Sequence, residues 1–98
     1  MKVVTNPEVI PLAEGKSFIA KQMSANAGEF LPKHRASAES VLVMQTGICV
    51  MHLEGTEHIL NSGDVFIIPA NVIHQIEAKQ DFAAVHIMPK EIKFEFFK

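Results

Sequence analysis

Five histidines, His34, His52, His58, His74 and His86, and the single Cys49 are the side chains of this 98-residue chain best suited to bind a metal, move a proton or act as a nucleophile. Neutral imidazole titrates near neutral pH and keeps one ring nitrogen free, so it serves equally as metal ligand and general base. Cys49 has no base near it in sequence that would lower its pKa, and a cysteine within a strand is expected to be inert core. His86 lies among Ala84, Val85, Ile87 and Met88, where a buried imidazole needs a partner for its N–H. His52 and His58 bracket the Glu54–Gly55 turn and read as surface or rim residues. Lys33 and Arg35 flank His34 and point away from it in a regular strand.

The elements that must position these groups are short. Apolar runs are interrupted by turn residues every eight to twelve positions, the rhythm of an all-β sandwich or barrel. Strands are expected at Ser17 to Ser24, Val41 to Thr46, Val65 to Ile68, Val72 to Ala78 and Phe82 to Met88. Ile48 to Leu53 and Thr56 to Leu60 form a hairpin across Glu54 and Gly55. VLVM and AAVHIM are apolar at both parities, as strands are when covered on one face by a lumen and on the other by a second layer or subunit. The tail from Glu91 to Lys98 places Ile92, Phe94 and Phe96 on one side of an edge strand or dimer arm. Leu42 and Met44 share the parity of Ser40, and with Ile67, Ile76 and Met88 they are expected to line the lumen.

Composition narrows the function classes. Residues are 48% hydrophobic and 20% charged, as in a folded domain, and the formal charge is −2. One domain over residues 1–98 is expected. The absence of a Lys/Arg cluster argues against nucleic acid, and no run approaches the length of a membrane helix. One cysteine excludes an internal disulfide, and Pro7 and Pro11 break the N-terminal stretch before a signal-like segment forms. A cytoplasmic protein is expected.

Two segments, GEFLPKHRASAESVLVMQTG from Gly28 to Gly47 and GDVFIIPANVIH from Gly63 to His74, resemble the two motifs of the cupin family. Gly28, His34 and Gly47 match the first; Gly63, Pro69 and His74 match the second. The resemblance covers about the middle half of the chain and implies a small antiparallel double-stranded β-helix, the jelly-roll barrel of that family. It also implies a lumen site at His34 and His74 holding one divalent transition metal, Zn, Ni, Fe or Mn. The departures are specific. Ala36 stands at the family's second histidine, Ser40 at its glutamate with Glu39 one residue earlier, Asn71 at a glycine, and Ala78 at a later asparagine.

With two of four ligands replaced, a three-ligand metal centre needs a third donor, and His86, His52 or a Glu39 brought round by a bulge are the candidates. Three functions stay open. One is a small-molecule-binding barrel with His34 and His74 as polar anchors and a pocket of Ser40, Leu42, Met44, Ile76 and His86. Another is a metal-dependent enzyme of the dioxygenase, isomerase or decarboxylase kind. The last is an interaction domain. A homodimer is expected, with the apolar tail packed across a two-fold interface.

Overall fold

The computed structural model describes residues 2–4 and 7–97. Its strands are β1 (Lys2–Val3), β2 (Glu8–Glu14), β3 (Phe18–Ala25), β4 (Glu29–Phe30), β5 (Lys33–Ala36), β6 (Ser40–Thr46), β7 (Cys49–Leu53), β8 (Thr56–Leu60), β9 (Val65–Ile68), β10 (His74–Ala78), β11 (Phe82–Pro89) and β12 (Phe94–Phe97). No helix occurs among the described residues.

Two sheets face each other. One runs β2-β3-β11-β6-β9. In the other, β10 pairs β7 on one side and β4 and β5 on the other, so the last two lie end to end along it. β8 extends this sheet beyond β7, while β1 and β12 border β4 and β5 respectively. Alternation decides what each sheet buries. β10 and β11 alternate strictly between buried and half-buried residues, placing His74, Ile76 and Ala78 inward from one sheet and Ala84, His86 and Met88 inward from the other. The core between them is apolar, with Leu42, Cys49, Met51 and Ala84 fully buried.

The outward parity of the first sheet is apolar as well. Val85 pairs Val43 and Ile87 pairs Val41, which in turn pair Val65 and Ile67. These β-branched cross-strand neighbours stabilise the sheet even though Val65 and Ile67 are exposed. Ile67 therefore faces out, correcting its expected lumen position, and Ile68 takes the inward place.

The β7–β8 hairpin turns through Glu54 (φ 52°) and Gly55 (φ 75°), two consecutive positive-φ residues of a type I′ turn. Asn71, which replaces a motif glycine, has φ 64°, a conformation asparagine tolerates better than most side chains, so the departure leaves the backbone path intact. β10 begins at His74 rather than Val72, and the tail strand is Phe94–Phe97 rather than the whole of Glu91 to Lys98, of which Lys98 lies outside the described residues.

Candidate functional site

His34 on β5 and His74 on β10 are direct cross-strand partners, so their side chains leave the same face of the sheet. Their ring centroids are 4.4 Å apart, edge to face. Each ring is oriented by a carbonyl two residues upstream. Pro32 interrupts the edge between β4 and β5, and its oxygen accepts from His34 Nδ1 at 2.9 Å; the Val72 oxygen, in the loop before β10, accepts from His74 Nδ1 at 3.0 Å. A carbonyl can only accept, so Nδ1 carries the proton in both rings and Nε2 keeps its lone pair. Burial disfavours the imidazolium and lowers the pKa of both, and at His74 the neighbouring His34 adds to the effect.

His86 reaches the same space from β11, on the opposing sheet. One hydrogen bond of 2.8 Å joins its Nε2 to Ser40 Oγ, supplying the partner its burial requires. Burial, reinforced by His34 and His74, brings its pKa down to about 4. These three histidines border a cavity of about 690 Å³, within the size range of small-molecule sites. Leu42, Ile68, Ile76 and Met88 form its inner wall, and Phe94 and Phe96 its outer one. β12 pairs β5 with Phe96 opposite His34, and both phenylalanine rings lie within 5.6 Å of the His34 ring, centroid to centroid.

Several expected site residues lie elsewhere. Ser40 is buried behind the wall and meets the cavity only through His86. Met44 is also absent from the lining: it packs in the core, its sulfur 3.5 Å from Cys49 Sγ, because β6 carries it past the end of the cavity. Burial raises the Cys49 thiol to about 12, the inert state expected of it. Glu39 is exposed between the Ser37–Ala38 bend and β6, and no bulge turns it inward. His52 is on the non-lumen parity of β7, where its Nε2 meets Glu77 at 2.8 Å and its Nδ1 Glu57 at 3.5 Å. His58 packs on Phe66, ring centroids 5.1 Å apart. Arg35 pairs with Glu95 at 2.7 Å on the outside.

The residues bear directly on whether a metal fits. His34 and His74 offer two free Nε2 atoms, but no three His, Cys, Asp or Glu groups among the described residues are arranged to hold an ion. His86 has its Nε2 tied to Ser40, and among the described residues the cavity lining contains no carboxylate. A catalytic zinc or non-haem iron centre takes three protein ligands. The arrangement fits two donors and does not complete a third.

The features missed in the sequence are Phe94 and Phe96 as cavity wall and Lys21 as a lumen cation. For Lys21 a signal existed: it alternates with Ile19 and Met23, a lone charge on an apolar parity.

Two facing sheets, antiparallel except where β1 runs parallel to β4, around a histidine-lined lumen define a double-stranded β-helix barrel. Residues 22–88 match the cupin domain family, and the chain belongs to it. Among solved structures, a cupin superfamily protein from Desulfitobacterium hafniense is similar over 86% of this chain and 77% of its own, with 21% identity and a TM-score of 0.78. A Streptococcus pyogenes protein of unknown function is similar over 90% of this chain and 80% of its own, with 14% identity and a TM-score of 0.76. The salicylate 1,2-dioxygenase of Pseudaminobacter salicylatoxidans aligns with 97% of this chain at 14% identity and a TM-score of 0.84, but this chain spans only 31% of that enzyme. At these identities the likeness is one of fold. No curated protein matches the sequence.

Proposed function

We propose that the chain is a small-molecule-binding cupin whose lumen accepts a ligand with an apolar body and a hydrogen-bond donor. The observation that supports this most is the pair of Nδ1–H···O=C bonds, which leave the Nε2 atoms of His34 and His74 as acceptors beside an apolar cavity. A hydroxyl or amine buried there gains a partner that water would otherwise supply.

The chain has no Trp or Tyr, so a fluorescent aromatic ligand can be followed with little protein background. 2-Naphthol is expected to bind with its single O–H donated to one Nε2 of the pair, so that at least one of His34→Leu and His74→Leu weakens it about tenfold, the worth of one hydrogen bond. Naphthalene, lacking the hydroxyl, should bind wild type and both variants alike. Unchanged 2-naphthol affinity in both variants would overturn the reading.

A divalent metal at the same pair is a second reading, favoured by the two free Nε2 atoms. Without a third donor it is a weak site, and no catalytic step is derived through it.

The homodimer belongs to the proposal too, through a different surface from the one expected. Phe94 and Phe96 border the chain's own cavity, whereas the outward face of β6, β9 and β11 presents Val41, Val43, Val65, Ile67, Val85 and Ile87 without a charge among them. A charge-free face suits a second copy of itself across a two-fold axis. Light scattering should give twice the 10.8 kDa chain mass, falling to one chain in Ile67→Lys; a wild-type monomer at micromolar concentration would contradict it.

A further inference from the structure

Lys21 lies on β3 as the direct cross-strand partner of His86, so the two side chains leave the same, inward face. It borders the cavity between Met23 and His86. Among the described residues it joins no ion pair: Glu14, the acidic side chain at the near end of β2, is taken by Lys90 at 2.7 Å. Among the described residues, the cavity walls carry two lysines and three histidines and no carboxylate. Lys33, the second lysine, follows the outward parity of β5 and is exposed at the rim. Among the described residues, the inner charge of the lumen is thus a single ammonium set against an apolar wall, whose field reaches the Glu14 carboxylate without forming an ion pair with it.

Such a group is poorly placed in a ligand-free protein and well placed for an anion. Beside an apolar surface an unpaired ammonium loses part of its hydration, and a charge-assisted hydrogen bond to an incoming carboxylate restores what is lost. A dication or a polyanion fits less well, the first through repulsion and the second because one ammonium leaves the remaining charges buried and unpaired. Resting on the lumen reading above, we propose that Lys21 selects monocarboxylates, so that the ligand carries, besides the donor accepted by His34 and His74, one carboxylate that meets Lys21, with its apolar body between Met88, Phe94 and Phe96.

Near-isosteric pairs in which a neutral amide replaces the carboxylate test this: 2-naphthoate against 2-naphthamide by fluorescence, and octanoate against octanamide as competitors, which separates aromatic from aliphatic acids. In at least one pair the acid is expected to bind about tenfold more tightly than the amide. Lys21→Met should erase that preference while leaving amide affinity unchanged, and Lys21→Arg should keep it. Lys79→Met, which removes the same charge from an exposed site paired with Glu77, should also keep it. An acid binding no better than its amide in both pairs, or a preference that survives in Lys21→Met, would overturn the proposal and leave lumen binding intact. Failure of all four compounds to bind would overturn both.

Discussion

Gly47→Ala is expected to destabilise the protein by more than about 4 kcal/mol, a loss in the range reserved for steric strain in a packed backbone. Gly47 turns β6 into β7 with φ 80°, and a Cβ there would collide with the Asp81 carbonyl oxygen and lie 2.8 Å from Phe82 Cα. Neither neighbour is the mobile end of a side chain. Asp81 ends the β10–β11 turn and Phe82 opens β11, and the turn is fastened to the same place because Lys79 N and Gln80 N donate to the Ile48 oxygen at 3.0 and 3.1 Å. The added methyl must therefore separate two turns that close one end of the barrel. Thermal melts of a domain this size should fall by roughly 15–30 °C. Gly63→Ala is the internal control, because its φ is also positive, 90°, but no atom lies within 4 Å of the added Cβ. It should lose only about 1 kcal/mol to backbone strain. Equal losses in the two variants would show that the turns do not meet as described.

Stability should also fall steeply as the pH drops from about 6.5 to 4. His86, His34 and His74 all have pKa values below the ordinary 6.5, His86 at about 4, chiefly because burial disfavours their charged forms. Above pH 6.5 both folded and unfolded chains hold them neutral, and the full stability is present. Below it the unfolded chain takes up protons that the folded lumen refuses, so stability is lost until the folded histidines titrate in turn. His86 alone accounts for about 3 kcal/mol over that interval, at 1.36 kcal/mol per pH unit of displacement. Glu14 and Glu77, whose pKa values are lowered by Lys90 and His52 respectively, act in a separate window below pH 4.5. Urea unfolding at pH 7, 6, 5 and 4.5 should show the decline, and His86→Gln, which keeps a polar partner for Ser40, should flatten it by up to one proton. A wild-type stability constant from pH 7 to 4.5 would mean that the histidines are hydrated and the lumen open.

How much of this was legible without coordinates depended on the distance over which each signal acts. The hairpin at Glu54–Gly55 and the turn at Gly47 are local, written in loop length and glycine position, and the structure has both. The placement of His34 opposite His74 is not local, but two motif segments resembling the cupin family carried it, and the strands pair at those residues. Where the motif fails, legibility fails with it. Ser40 occupies the family's glutamate position, yet its contact is with His86, forty-six residues away and on another strand, which no spacing rule reveals. Glu39 and His52 were reasonable donors by residue type, and the pleat turned both away from the lumen.

The first strand was expected at Ser17 to Ser24, whereas Glu8–Glu14 already forms one. It is an edge strand with a register shift after Pro11, where a missing N–H costs no ladder bond. Phe94 and Phe96 were read as one side of an edge strand or an arm for a partner. β12 is such an edge strand, and its pairing with β5 sets both rings beside His34 while leaving them 39% and 63% exposed.

The central claim is that one lumen, anchored by His34 and His74, is where this protein holds a small molecule. Histidine-ring and backbone NMR during titration with 2-naphthol tests it most directly. The account predicts saturable shifts of the His34 and His74 Nε2 resonances and of the amides around Ile76, His86, Phe94 and Phe96, with the His52 ring, paired to Glu77 outside the lumen, unmoved. Saturable shifts centred on His52, or none at His34 and His74 when the ligand is bound, would contradict it.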